Sequence, residues 1–331
     1  MPHPLSAALD TVLDGLPADP LRRATASLID AYRSGAPPTA QVLRDPTTAA
    51  AYAAYRMPAT HAAVARTLRH ATDLAPDLDV RTVLDVGGGT GAATWAVAEA
   101  FPSLEQATVL DGSTDALALG ARIGRHGPPA VAGATWSRAL LGPGVALPGA
   151  DLVVVSYVLG ELAETLHAPV VDAAAAAAAQ LVLVVEPGTP RGYAAVLAAR
   201  SRLTDAGWHL LAPCPQDGAC PVAARPGDWC HFAVRLDRSA LHRRVKGGRL
   251  GHEDEKFSYV LASRAPVASA GGRVLRHPVT RKGLVQLEVC DSDGSAGRVV
   301  VTKRDPIAYR AARDASWGSP WPEPGPDPRP D

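Results

Sequence analysis

Apolar residues recur every three or four positions in the first part of the chain, which is the spacing of an amphipathic helix. Leu5 to Leu16 follows this spacing, and similar patterns continue, with breaks at prolines, as far as Leu74. We therefore predict a helical region over residues 1–75.

From Thr82 the pattern changes to short apolar runs that alternate with helix-forming segments, which is typical of a parallel sheet. We predict seven strands, over residues 82–86, 107–110, 130–136, 151–157, 181–186, 208–212 and 257–262. Five parallel strands closed by a late hairpin are the arrangement of an α/β, class I SAM-dependent methyltransferase (Rossmann-like) fold. Residues 76–264 are expected to form this domain.

About 44 residues separate predicted strands six and seven, far more than a hairpin needs. We expect residues 213–256 to be an insertion that contains three cysteines and a helical basic stretch. After strand seven, apolar runs separated by Gly and Asp turns predict a small antiparallel β addition over residues 265–305. Residues 306–331 are interpreted as a Pro-rich tail.

The first strand leads into a glycine-dense turn, Asp85-Val86-Gly87-Gly88-Gly89-Thr90-Gly91, and then into a helix. A strand, a glycine turn and a helix let a backbone approach a nucleotide-like ligand closely. The spacing D-x-G-x-G-x-G leaves a dinucleotide and S-adenosylmethionine (SAM) open, and the strand pattern favours SAM. We assign Asp85, Gly87, Gly89 and Gly91 to cofactor binding, with Asp85 acting on the ammonium group through backbone or water contacts.

Three further cofactor-binding residues are expected at the ends of later strands. Asp111 stands about 20 residues past the last glycine, where a carboxylate can accept hydrogen bonds from both ribose hydroxyls. Its alternative role is a helix N-cap, which Ser113 and Thr114 also allow. Ser156 and Tyr157 follow predicted strand four, where a substrate would approach.

Charge is unevenly distributed although the formal net charge is zero. Residues 1–200 hold 13 Lys+Arg against 18 Asp+Glu, and residues 201–331 hold 20 against 15. The excess of positive charge in residues 201–331 indicates contact with a polyanion such as RNA. The alternative is a solvated surface without a partner. The candidate RNA-binding residues are Arg235, Arg238, Arg243, Arg244, Lys246 and Arg249.

Composition indicates a globular protein, with 47% hydrophobic and 20% charged residues. There is no uninterrupted apolar run of about 18 residues, and the first residues lack the pattern of a secretory signal. We expect a cytoplasmic monomer that binds no membrane.

All four cysteines, Cys214, Cys220, Cys230 and Cys290, lie in the basic part of the chain. Clustered thiols in a cytoplasmic protein indicate a metal site before disulfides. The spacing C-x5-C-x9-C lacks the paired C-x-x-C of zinc ribbons, so zinc and an iron–sulfur cluster both remain open. His231 could replace one ligand, and His242 or His252 could add another.

The sequence carries no established motif for methyl transfer to a base. The polar-Pro-Pro-aromatic motif of amino-methyltransferases is absent after predicted strand four, where Ser156-Tyr157-Val158-Leu159 stands. A cysteine nucleophile near strands four or five is absent too. Catalysis on RNA is therefore not indicated by these positions, and no catalytic residue is assigned.

Several runs resemble the mitochondrial-type small-ribosomal-subunit (rRNA) methyltransferase-like family and its bacterial relatives. They are residues 55–60 (YRMPAT), the glycine turn, 214–221 (CPQDGACP), 228–232 (DWCHF) and 253–259 (EDEKFSY). The likeness covers about residues 50–318.

The resemblance implies a SAM-type methyltransferase fold, association with small-subunit rRNA, and a 4Fe–4S cluster. Carried over by motif, Cys214, Cys220 and Cys230 would be ligands, with Cys290 the cysteine left for the fourth position. Two hypotheses follow. The chain is a SAM-dependent rRNA methyltransferase, or it is a non-catalytic assembly factor that binds rRNA and whose metal site, iron–sulfur or zinc, is structural.

Overall fold

A computed structural model describes residues 3–34, 43, 45–246, 251–267 and 271–322. Its centre is a sheet of eight strands. Six of them precede the insertion and are numbered β1 to β6 in chain order. These strands are β1 (Thr82–Val86), β2 (Gln106–Asp111), β3 (Thr135–Arg138), β4 (Ala150–Ser156), β5 (Ala178–Pro187) and β6 (His209–Ala212). The insertion and the segment after it add β7 (Phe232–Asp237) and β8 (His252–Ser263).

The spatial order of the main sheet is β3-β2-β1-β4-β5-β8-β6, and β7 pairs with the first half of β8. Strands β1 to β5 pair in parallel, and β8 runs antiparallel between β5 and β6. Five parallel strands with one late antiparallel strand inserted before the edge strand define the class I SAM-dependent methyltransferase fold. The predicted fold class is confirmed.

Helices cover both faces of this sheet. The N-terminal helices are α1 (Pro4–Leu13), α2 (Ala18–Ser34), α3 (Pro46–Tyr55) and α4 (Met57–Leu74). Helix α4 packs on the sheet, whereas α1, α2 and α3 form an apolar cluster with the helices that follow β1 and β2. The crossover helices are α5 (Ala92–Ala100), α6 (Thr114–Gly124), α7 (Pro129–Ala132), α8 (Glu164–Ala177) and α9 (Pro190–Asp205). Strand residues such as Leu84, Val154 and Leu183 are fully buried between them. No helix in the described ranges is both long and apolar enough to cross a bilayer.

Two predicted elements were wrong in type. Residues 130–136 do not form one strand, because Pro128-Pro129 opens the short helix α7 and β3 begins only at Thr135. The basic stretch was expected to be helical, but Arg235 lies on β7, and within its described residues the helix is limited to Ala240–Lys246 (α10). The alternation of Phe232, Val234 and Leu236 fits a strand that pairs with β8.

The C-terminal sheet contains β9 (Gly272–Val274), β10 (Val279–Arg281), β11 (Leu284–Asp291) and β12 (Ala296–Thr302), with spatial order β10-β11-β12 and β9 beside β11. The expected β addition is therefore present.

Residues 306–331, however, do not begin as a tail. Asp305 caps a helix, α11 (Pro306–Asp314), whose Ala312 packs on Val285 and Leu287 of the sheet. Pro320 then forms a β-bridge with Arg273.

Candidate functional site

The glycine turn between β1 and α5 has the backbone that its sequence requires. Gly87, Gly89 and Gly91 have φ of 68°, 54° and 83°, a region that other residues rarely adopt. A Cβ on Gly87 would lie 2.5 Å from a methyl of Val158. At Gly89 the nearest atom would be 3.8 Å away. Gly89 is therefore the least crowded of these three glycines.

Asp111, at the end of β2, is tied to this turn. Its carboxylate accepts the Gly89 N–H at 2.9 Å and the Ser113 N–H at 2.7 Å. Burial raises the pKa of Asp111 above its usual value. The N-cap of α6 is Ser113, whose hydroxyl accepts the Ala116 N–H. Asp111 therefore fixes the turn rather than capping a helix, and its contact with a ribose stays a prediction.

Asp85 lies beneath the turn and is fully buried. Its Oδ2 accepts the backbone N–H of Thr94 at 3.2 Å and the Thr94 hydroxyl at 3.0 Å, while Oδ1 is buried without a partner in the described structure. Burial raises the pKa of Asp85 to about 7. The carboxyl group thus braces the start of α5, and its influence on a ligand would pass through the backbone, as the sequence predicted.

Ser156 and Tyr157 end β4 beside the turn, and they differ in surroundings. Ser156 is buried. Tyr157 has a positive φ of 60°, which is rare for a non-glycine residue and indicates a functional constraint. Its hydroxyl donates to Glu255 at 2.9 Å, and the Arg56 guanidinium lies 4.6 Å from the centre of its ring. This side chain is therefore held by β8 and by the junction of α3 and α4.

Arg56 and Glu255 were not predicted as site residues, although the 55–60 and 253–259 runs contain them. The guanidinium of Arg56 donates to both carboxylate oxygens of Glu255, at 2.9 and 2.8 Å. Two charged residues 199 positions apart give no local pattern, so only the fold could pair them.

All four cysteines line one cavity between α9, the insertion and the C-terminal sheet. Cys214 and Cys220 lie on the insertion loop, Cys230 precedes β7, and Cys290 lies on β11. None of His231, His242 and His252 is among the cavity residues. His231 instead stacks on Trp229, and its Nδ1 lies 3.0 Å from the Trp229 carbonyl. The fold brings together the predicted cysteines and leaves the candidate histidines outside.

The four thiols form the donor set of this cavity. Four thiolates suit a tetrahedral zinc ion as well as an iron–sulfur cluster. A second group of candidate ligands lies elsewhere in the described structure, where the ligand atoms of His3, His61 and Glu99 all lie within 4.8 Å of one another.

Polar side chains that the sequence analysis missed surround these thiols. The Arg200 guanidinium lies 3.4 Å from Cys214 Sγ and donates to the Gln216 carbonyl at 3.1 Å. The Tyr193 hydroxyl lies 3.4 Å from Cys220 Sγ. Arg273 is buried in the cavity wall and donates to the carbonyls of Pro213 and Gly318. Two cations beside the sulfurs would stabilise thiolates, and scattered arginines give no sequence signal for this role.

Burial raises the pKa of three of these thiols, Cys214, Cys230 and Cys290, and so favours their protonated form. Burial, followed by the neighbouring sulfurs, raises the pKa of Cys230 well above its usual value. Burial likewise raises the pKa of Cys290 to about 12. A metal would have to displace these protons, so its binding would strengthen as the pH rises.

The candidate RNA-binding residues are largely engaged within the protein. Arg235 pairs with Asp254 across β7 and β8, and Arg238 and Lys246 both pair with Glu253. Only Arg243 and Arg244 of the described members are fully exposed on α10. Arg249 lies outside the described residues. The predicted basic stretch therefore presents much less free positive charge than its sequence suggests.

Three curated relatives are similar to this chain. The human ribosome assembly protein METTL17, mitochondrial, is 28% identical over 287 residues, which is 81% of this chain and 61% of that protein. The Rsm22-cox11 tandem proteins 1 and 2 of Schizosaccharomyces pombe are each 27% identical over 179 residues, 42% of this chain and 24% of theirs. The chain thus spans less than two thirds of each relative.

Solved methyltransferases also resemble the structure at a low level. Magnesium protoporphyrin IX methyltransferase from Synechocystis PCC 6803 with bound SAM matches with a TM-score of 0.38 and 14% identity, over 80% of this chain and 99% of that one. Precorrin-6y C5,15-methyltransferase from Geobacter metallireducens GS-15 matches with a TM-score of 0.37 and 14% identity, over 59% and 85%. The fold assignment rests on the strand order above.

The family model described as mitochondrial small ribosomal subunit Rsm22 matches residues 46–322. This range includes the glycine turn, the insertion with its three cysteines, and the C-terminal sheet with Cys290. The chain belongs to the Rsm22 family.

Proposed function

We propose that this protein acts with small-subunit rRNA during assembly of the small ribosomal subunit, holding SAM at the glycine turn and a 4Fe–4S cluster at the four cysteines. The observation that carries the proposal is the convergence of all four cysteines on one cavity in a chain of the Rsm22 family. We further propose that it works as a cytoplasmic monomer.

An iron–sulfur cluster is favoured over zinc by the cysteine spacing. Cys214 and Cys220 are separated by five residues, unlike the paired C-x-x-C of zinc ribbons, and a cluster spreads its thiolates over several irons. Arg200 and Arg273 would offset the negative charge of a thiolate-bound cluster, and Cys214, Cys220, Cys230 and Cys290 would hold it. Anaerobic purification followed by iron and sulfide analysis tests this assignment. A colourless protein with one zinc per chain would reject the cluster.

SAM binding at the turn is supported by its backbone. The three glycines with positive φ keep side chains away from the space above β1, and Asp111 holds the Gly89 N–H in place. Methyl transfer from SAM needs chiefly positioning, because the sulfonium is already activated. Calorimetry with SAM tests the site. No detectable heat at millimolar SAM would reject both binding and methyl transfer.

A second candidate function is rRNA binding without methyl transfer. It is favoured by Tyr157, the side chain nearest to the expected substrate position, because its hydroxyl is already used by Glu255. A map of small-subunit rRNA modifications with and without the gene separates the two functions. Loss of one methylated nucleotide would identify an enzyme, and an unchanged map with impaired subunit assembly would identify an assembly factor.

A further inference from the structure

The C-terminal sheet has two unlike faces. On β11, Val285, Leu287 and Val289 are buried against α11, so the alternate residues face the other way. At one end of this second face, Cys290 packs with Val222 of the insertion. The other end has no such cover in the described structure.

A row of three neighbouring residues crosses that uncovered end. Val279 on β10 pairs in register with Gln286 on β11, which pairs with Val300 on β12. Val279 is 45% exposed and Val300 is 53% exposed. Arg298, also exposed, lies on the same face two residues along β12. A sheet face that leaves aliphatic side chains open beside cations indicates an interaction surface.

Four more cations gather at the edge of this row. Arg281 ends β10, and Lys282 lies in the turn to β11. The Lys303 N–H donates to the carbonyl of Gly283 in this turn at 3.2 Å. That hydrogen bond brings Lys303 and its neighbour Arg304 to the same turn. We call Arg281, Lys282, Arg298, Lys303 and Arg304 the basic end of the sheet.

The basic end carries free charge, unlike the predicted basic stretch. All five side chains are exposed, and in the part of the chain that the structure describes none of them forms an ion pair. The nearby Asp305 caps α11 by accepting the Ala308 N–H. Asp291 and Asp293 lie at the opposite hairpin. Charge is therefore polarised along the sheet, and the positive end is available to an anionic partner.

We propose that the basic end is the surface through which the protein binds small-subunit rRNA, by contacts to phosphates. This inference rests on the proposed function and names its RNA-binding surface. The open row itself, Val279, Gln286 and Val300, carries no aromatic ring on which bases could stack, and the Tyr309 ring near the basic end already lies 6.0 Å from Lys303 Nζ. Binding here depends on the backbone of the RNA and on its charge more than on its sequence.

The test measures the affinity of the full chain for a transcribed small-subunit rRNA at several salt concentrations. The variant replaces Arg281, Lys282, Lys303 and Arg304 by glutamine. Losing four phosphate contacts should weaken binding about a hundredfold at 0.1 M salt and reduce the slope of log affinity against log salt by about 3. A double variant, K303Q/R304Q, is also measured, and R122Q/R125Q at the C-terminal end of α6 is its matched control because it also removes two exposed cations. The control should change affinity less than about twofold.

Iron content and the thermal midpoint of each variant are measured first, because the substituted side chains are exposed and should leave both unchanged. A four-residue variant that binds rRNA like the wild type, with an unchanged salt slope, overturns this surface and leaves the proposed function standing. A wild type that fails to bind rRNA overturns both. A variant that still binds rRNA but no longer joins assembling subunits would show that the basic end binds a protein, which also overturns the proposal.

Discussion

Arg56 and Glu255 form a bidentate ion pair with N–O distances of 2.9 and 2.8 Å. This pair joins the N-terminal helices to β8. Both side chains are mostly buried, with 15% and 13% of their surface exposed. Since the pair also positions the Tyr157 hydroxyl, it links the N-terminal helical region to the end of β4, next to the glycine turn.

Replacing Glu255 by glutamine should destabilise the protein by about 3 kcal/mol, because it leaves the Arg56 cation buried without a counter-charge. Chemical denaturation measures this change. The exposed pair Arg235–Asp254 offers a control, since Asp254→Asn should cost less than about 1 kcal/mol. Equal losses in the two variants would contradict the burial argument.

The buried carboxyl group of Asp85 should make the unfolding free energy depend on pH. Its pKa is raised from 3.8 to about 7, so between these values the folded state binds more protons than the unfolded state. Its contribution is full below about pH 4 and is lost as the pH rises through 7. In wild type the unfolding free energy should fall by a few kcal/mol between about pH 4 and 7, on the order expected for such a shift, and Asp85→Asn should remove this fall.

Asparagine suits this test because Thr94 needs only one acceptor oxygen and Oδ1 has no partner to lose. Urea denaturation at each pH gives the free energies. A variant whose stability changes with pH as steeply as the wild type would show that Asp85 is not the titrating group.

Alanine substitutions in the glycine turn should separate ligand binding from folding. At Gly91 the new Cβ would lie 2.6 Å from the Trp136 ring, so Gly91→Ala should destabilise the fold. At Gly89 the space is open, and the cost is the strain of a positive φ, about 1 kcal/mol. We expect Gly89→Ala to stay folded and to weaken SAM binding at least tenfold, as measured by calorimetry. Unchanged SAM affinity would place the ligand elsewhere.

Removal of Cys290 should test the cluster and its role in stability together. Cys290→Ser should lower the iron bound per chain, and the loaded variant should unfold about 10 °C below the loaded wild type. Iron-free wild type and iron-free variant serve as controls, and they should unfold at similar temperatures. Full iron occupancy in the variant would exclude Cys290 as a ligand.

The glycine turn, the parallel strands and the four cysteines were predictable because each is encoded locally, by φ requirements, apolar runs or residue type. Strand β7 was not predicted, although Phe232, Val234 and Leu236 alternate as in a strand, because Arg235 was assigned to a helical basic stretch. The carboxylate that Arg235 faces, Asp254, lies 19 positions away on β8 and gives no local signal. The helix α11 had a visible signal, since Asp305-Pro306 is a typical helix start. Charge counts do not distinguish paired side chains such as Arg235 from unpaired ones, so the RNA-binding role of the basic stretch stays a prediction.

The position of Cys290 on β11 links the cysteine cavity to the open row. Gln286 of that row lies on the same strand, four positions before Cys290, while the other three cysteines belong to the insertion. A group held by all four cysteines would therefore fix the C-terminal sheet against the insertion, and with it the direction in which the basic end faces.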